Sequence, residues 1–460
     1  MPKPNTFLAK LRVALKGYPV TPGMRNQFLV VINALNPLWN LVEEQRVKTM
    51  TTYDLGDIVN CLLICTLRGA DNWETVSDMA ETNFNWFRRY LPSFAKVGTV
   101  PCPDTFRRVL TGMDEQQFQL VVNTLMEDVA PGLNACIENA NLGKVLNVIC
   151  VDGQVQRGTG RAFLSRVNGP TKDGQMLHIY DYNHGYVIAS IPIEEKTNEI
   201  PTFQDYLKTY GVREGCIYAA DALHAQSKTC SLITQNGGGF CFGLKGNQDS
   251  IFTDAKEIFT PEFCKELKGR AGSYERYMEC PNGNVIVRET YVCPITEFPD
   301  YRTRFAKWEG LKALVMQKKT TTNKATGEVK VEIRYYMTTL ETASDCSYAI
   351  RAEWGVESMH NSLDTVFMQD YNTTTYKEAV VNLSTVFKIA LPCLNILQAI
   401  KGKNTSMNRM RLACNSKPNK TICTLASFIT KEVVESAYKK AVKRLAELKA
   451  QKALKVEQVA

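Results

Sequence analysis

The sequence predicts an α/β protein: a mixed sheet preceded by a helical amino-terminal domain, interrupted by a β-rich insertion and followed by a basic helical tail. Three observations predict this. Apolar residues recur every three or four positions through residues 26–135. Short β-rich runs replace that period near residue 145. Residues 401–460 then carry 14 Lys and Arg against 4 Glu, whereas residues 1–400 hold 41 basic and 43 acidic side chains.

The helical domain, residues 1–140, is read from three segments. Tyr53, Leu55, Ile58, Val59, Leu62, Leu63 and Leu67 form one apolar face, and Gly69 stops the run. "DNWE" then offers Asp71 and Glu74 as a capping box. "PDTFRRVL" starts another helix with Asp104 as its cap, and Phe118, Val121, Val122, Leu125 and Val129 mark a third face. Arg107 and Arg108 follow that second start, where they either touch DNA or stay solvated while Phe106, Val109 and Leu110 pack.

The first part of the core, residues 141–249, holds "VLNVICVDG", "QMLHIYDYN", "YVIASIPIEE", "GCIYAADAL" and "GFCFGLKG" as strands. Helical patterns stand between the third and fourth and between the fourth and fifth. The order β-β-β-α-β-α-β is a meander followed by crossovers, so the sheet mixes antiparallel and parallel pairs. Residues 250–345 are strand-rich, broken by the turn-formers "PNGN" and "NKATGE". Helix resumes at "SYAIRAEWGVESMHNSLDTVF", so residues 346–400 complete the core and the β segment reads as an insertion.

Composition bounds the function classes. A content of 44% hydrophobic and 9% aromatic residues fills a core and excludes disorder. The fifteen cysteines are scattered and form no C-x-x-C knuckle, which predicts reduced thiols in a cytoplasmic protein. The run "IVNCLLICTL" is too short to span a bilayer, and the amino terminus lacks a signal-peptide pattern, so no membrane partner is expected. Neither G-x-S-x-G nor a P-loop is present. The basic tail, with Val434, Ala437, Ala441, Leu445 and Leu448 on one side of its helix, fits packing on a partner, contact with phosphates, or both.

Three acids stand where chemistry is built. Asp152 ends the first strand, Asp221 ends the fourth, and Glu357 lies in the late helix. Carboxylates at neighbouring strand ends converge when the strands finish on one side of a sheet, and hard oxygen ligands of this kind suit magnesium or manganese. Glu353, Glu357, His360 and Asp364 share one helix face, which either meets the strand-end acids or is simply solvated. All four histidines lie between Asp152 and the end of this helix; His224 and His360 are read as phosphate or water contacts, with capping or packing the close alternative.

The series "VDGQVQRG", "EEKTNEIP", "AADALHAQ", "FGLKGNQ", "KWEGLKALV", "RYYMTTL", "RAEWGVESMHNSLDTVF" and "VVNLSTVFKIALPCLNIL" resembles the H-repeat-associated (ISAs-type) insertion-sequence transposases of the DDE superfamily. The resemblance runs in order over residues 30 to about 400. It implies a ribonuclease H-like catalytic core, with Asp152, Asp221 and Glu357 as the acids that hold two magnesium or manganese ions. It further implies cleavage and strand transfer of DNA by in-line phosphoryl transfer, on partners comprising double-stranded DNA with terminal inverted repeats and target DNA. A homo-oligomer in the synaptic complex is expected. Lys245, Asn247 and Gln248, with Lys196 and Asn198, fall in family motifs near the site and are implied DNA contacts. The sequence departs from the family pattern at Glu353, Ser358 and Asn361, where His, Asn and Trp are common. A metal-dependent nuclease with the same core, or a host-adopted DNA-binding protein that keeps its acids, would share these features.

Overall fold

The computed structural model describes residues 6–21, 23–142, 146–156, 174–193, 198–281, 283–371, 376–402 and 405–459. Lys196 lies outside them.

The amino-terminal region is helical from Phe7–Ala14 to the long helix Glu115–Asn139. In the Leu55–Arg68 helix all fourteen residues are buried, so its apolar stripe is only part of what the core encloses. Gly69 ends it at φ 123°, a backbone angle that side chains other than glycine rarely adopt. Two predicted caps are displaced. The helix after Gly69 is capped by Asn72 with Thr75, not by Asp71 with Glu74, because the Asn72 side-chain Oδ1 accepts from the Thr75 backbone amide. The next start places Pro103 in the first turn after Cys102, so Asp104 sits inside the helix and pairs with Arg107 and Arg108.

The Lys377–Lys401 helix runs through the middle of this region, packed on Leu55–Arg68, Pro103–Gly112 and Glu115–Asn139. It is long and apolar enough to cross a membrane, which consideration of "IVNCLLICTL" alone did not reveal; its apolar window is wholly buried inside the protein. Asn382 donates to the carbonyl oxygens of Leu110 and Met113, which ties this helix to the end of Pro103–Gly112.

Among the described residues, nine strands form one mixed sheet in the order β3-β2-β1-β4-β5-β9-β8-β7-β6. β1 (Val148–Gln156), β2 (Gly174–Asp181) and β3 (Tyr186–Ile193) are an antiparallel meander. β4 (Ile217–Ala220) and β5 (Gly239–Leu244) continue from β1 in parallel, through the helices Glu199–Tyr210 and Ser227–Gln235. The segment after residue 249 opens with two helices, Asp249–Ile258 and Pro261–Gly269, before its strands. β6 (Tyr274–Glu279), β7 (Asn284–Pro294), β8 (Ala313–Asn323) and β9 (Val329–Thr338) then extend the same sheet, since β9 pairs with β5. The Ala343–Thr365 helix crosses the sheet, touching β1, β4, β5, β6 and β7.

The carboxy-terminal helix Lys431–Val459 lies on Glu115–Asn139 and Met24–Trp39 of its own chain. Val434, Ala437, Ala441, Leu445 and Leu448 are buried there. Lys440 and Arg444 pair with Asp128 and Glu127, Lys449 with Glu43 at 2.6 Å, and Lys452 with Asp114 at 3.2 Å. Four cations of the tail are thus engaged inside the chain.

Candidate active site

Alternation along β1 sends Cys150, Asp152 and Gln154 to one face. Each meets the Ala343–Thr365 helix. The Cys150 thiol donates to the Ala352 carbonyl at 2.9 Å, Asp152 Oδ2 stands 3.7 Å from His360 Nδ1, and Gln154 Nε2 donates to Asp364 Oδ1 at 3.0 Å. The helix therefore lies along the strand, and Glu357 falls on the stretch between the Ala352 and His360 contacts. Its polar stripe runs against the sheet rather than forming a purely solvated face.

The parallel pairing of β1 and β4 ends with Val151 opposite Ala220. Asp152 and Asp221 each follow by one residue, at the same level on strands ~4.8 Å apart. Asp221 leaves the sheet because it caps a short turn, its Oδ1 accepting from the Leu223 amide at 2.8 Å. A Cβ at Gly153 would collide with the Glu199 carboxylate, so glycine here lets a fourth acid approach. Glu353 is the fifth member, half-buried on the same helix.

Crowding of like charge shows in the protonation of two of these groups. Burial, then the charge of Glu199, pushes the Asp152 carboxyl up to about 7, with Asp221 and Glu357 adding and the Gly153 amide opposing. Burial, then the charge of Asp221, likewise pushes Glu353 up to about 7, against the pull of Arg334. Behind them, burial and the charge of Lys388 hold His360 down to about 4. Neutral His178 and His360 share a hydrogen bond of 2.8 Å between Nδ1 and Nε2. If His178 donates, His360 carries its own proton on Nδ1, facing Asp152.

Several implied DNA contacts need correction. His224 is 1% exposed, edge-on to the Phe203 ring, with Nε2 3.4 Å from Glu199. His360 is buried between His178 and Asp152, so neither ring faces solvent phosphate. Gln248 is buried as well, donating to the carbonyls of Ala222 and Ala225. Asn247 donates to Ala222 at 3.0 Å, and Asn198 caps the Glu199–Tyr210 helix by accepting from the Ile200 amide. These side chains build the turns that carry the acids. Lys245 is exposed and 3.9 Å from Asp221, placed to meet an anion beside it. Arg107 is drawn in by Asp104 and stacks on Tyr376, while Arg108 remains largely exposed.

Sequence reading missed Glu199 and left open whether Glu353 meets the strand-end acids. Glu199 sits inside "EEKTNEIP", where only Lys196 and Asn198 were singled out, and Glu353 stands at a departure from the family pattern. Oxygen donors of three to five carboxylates suit a hard divalent ion; Asp152 is raised first by burial and then by the neighbouring carboxylates, whose repulsion such an ion would offset. Among the described residues, no three His, Cys, Asp or Glu side chains already stand around one ion-sized point. The acids are within electrostatic reach of one another, short of a closed coordination shell.

Fold and site together define an α/β protein with an acidic centre where the parallel pairing of β1 and β4 ends. A family model described as DDE_Tnp_1-associated matches residues 39–126. The putative transposase YncI of Escherichia coli O157:H7 is 26% identical over 393 residues, covering 84% of this chain and 93% of its own. The H repeat-associated putative transposase YhhI of E. coli K12 is 26% identical over 336 residues, covering 72% and 82%. A solved structure, the piggyBac transposase synaptic complex with hairpin DNA, matches at 13% identity and a TM-score of 0.34, over 92% of this chain and 81% of that one. That superposition is too loose to carry weight. Over most of its length the chain is similar to these putative transposases.

Proposed function

We propose that this protein is a DDE transposase that cleaves and joins insertion-sequence DNA at the Asp152, Asp221 and Glu357 centre. The observation that carries the reading is the matched placement of Asp152 and Asp221 on adjacent parallel strands, with the Glu357 helix fastened along β1. The strand order β3-β2-β1-β4-β5, antiparallel and then parallel, supports reading this part as ribonuclease H-like.

Asp152, Asp221 and Glu357 would hold two magnesium or manganese ions, which supply activation of water or of a DNA 3′-hydroxyl and stabilisation of the leaving oxygen. The chain's own residues prepare that centre. Glu199 and Glu353 deepen the negative potential that attracts cations. His360, kept neutral, faces Asp152 without competing as a fixed positive charge. Lys245 offers a cation beside Asp221, where a phosphate approaching the acids would pass. The partners in this reading are double-stranded DNA with terminal inverted repeats and target DNA, held by a homo-oligomer in the bacterial cytoplasm. The test is incubation of purified protein with manganese and a plasmid carrying the DNA that flanks its coding region. Cleavage at the element boundaries with joining to new DNA supports a transposase. Cleavage without joining indicates a nuclease, and binding that is indifferent to Asp152→Ala indicates a DNA-binding protein.

A further inference from the structure

Beside the acids lies a patch that none of this chemistry uses. Trp354 precedes Glu357 by three residues, so the two share an outward side of the helix. The Trp354 indole is 39% exposed, with the Arg334 guanidinium 4.6 Å and the Lys319 ammonium 5.9 Å from its ring centre. Together with Arg288, Gln317 and Glu332 these side chains line a small cleft. Cross-strand register explains the grouping: Arg288, Lys319 and Glu332 stand opposite one another on β7, β8 and β9, and Gln317 pairs with Arg334 two positions along on the same face.

The charge count favours a polyanion. Glu279 is shared by Arg288 and Arg351, and Glu332 by Lys319 and Lys330, so two carboxylates face four cations. Arg334 forms no salt bridge among the described residues, though its charge reaches Glu353. An exposed aromatic face rimmed by surplus cations fits a nucleotide that has left its duplex, the base on the ring and the phosphates on the cations.

We propose that Trp354, Arg334 and Lys319 form a subsite for an unpaired nucleotide of the DNA strand leading to the acids. The inference rests on the transposase reading for its substrate, and binding measurements separate the two. Full-length protein is titrated into a fluorescein-labelled oligothymidylate and into a blunt mixed-sequence duplex, read by anisotropy. Trp354→Ala should weaken single-strand binding ~10-fold while changing duplex binding less than ~2-fold. Trp354→Phe, which keeps an aromatic face and the packing, should retain most single-strand affinity yet lose part of the tryptophan quenching that oligothymidylate causes in the parent. Arg334→Gln should weaken binding and lower the salt slope by about one phosphate. Unchanged single-strand affinity in Trp354→Ala, equal losses on both probes, or quenching unaltered in Trp354→Phe would overturn the subsite. Asp152→Asn reports separately: if cleavage depends on Asp152 while Trp354→Ala binds like the parent, only the subsite falls. If the binding results hold and cleavage ignores Asp152, the catalytic reading falls and the nucleotide site stands.

Discussion

Asp152 and Asp221 stand at the same level of the sheet, each one residue beyond the last paired positions, Val151 and Ala220, of two adjacent parallel strands. Such a placement brings side chains 69 positions apart in sequence to one level of the sheet, Asp221 just past the end of β4 and Asp152, against expectation, in the middle of β1, which pairs on with β2 to Gln156. It also sets up charge repulsion that the rest of the site must answer.

Metal binding should be linked to protons. Asp152 titrates near 7 rather than its ordinary 3.8. Between those values the native state holds a proton that the unfolded chain has lost, so this group's stability contribution falls as pH rises through the window and the loss is complete above about 7. A bound cation replaces the proton. Manganese should therefore raise the melting temperature more at about pH 8 than at about pH 6, and calorimetry at about pH 6 should show proton release. Asp152→Asn should reduce that release, leaving the share that Glu353 supplies; an unaltered release in the variant would count against the assignment.

Glu199 is the largest charge acting on Asp152. Glu199→Gln should shift the pH midpoint of manganese binding downward, by on the order of half a unit to one unit. An unshifted midpoint would show that Glu199 does not act on Asp152.

Lys388 is buried, with its ammonium on Ser190 Oγ at 2.6 Å, and burial lowers it to about 7. A lysine depressed in the native state costs stability fully below pH 7, and the cost fades as pH rises toward 10.5. Lys388→Met should stabilise the protein by on the order of 2–4 kcal/mol at about pH 6 and by less at about pH 9. Denaturant titration at both values checks the sign; a destabilised variant would contradict it.

Arg411 is buried and donates to the carbonyls of Thr66, Ala70 and Val366. It links the end of the Leu55–Arg68 helix to the end of the helix that bears Glu357. Arg411→Ala leaves those carbonyls unpaired and should cost ~3 kcal/mol in denaturant titrations. Hydrogen exchange should rise at both helix ends, and a change confined to residues near 411 would refute the linkage.

The element order β-β-β-α-β-α-β and the mixed sheet were legible because they depend on local signals, β-rich runs and the helical patterns between them. The caps at Asn72 and Cys102 were displaced by a residue or two because several polar residues compete at each start. Glu199 was hidden because nothing in its own segment reveals that Gly153 lets it approach Asp152, whereas the helix period placed Glu353 with Glu357 and left only its facing open. The histidines misled for a similar reason: exposure is a property of packing, and His224 and His360 are enclosed by Phe203 and His178. The basic tail was legible in charge but not in placement, since its counterions lie more than 300 residues earlier.

The most direct test is manganese-dependent cleavage of a plasmid carrying the DNA that flanks the coding region, comparing the parent with Asp221→Asn. The site described here predicts cuts at fixed boundaries in the parent, a loss of at least ~100-fold in the variant, and DNA binding retained in both. Parent-like cleavage by Asp221→Asn, or cleavage by the parent without any divalent ion, would contradict it.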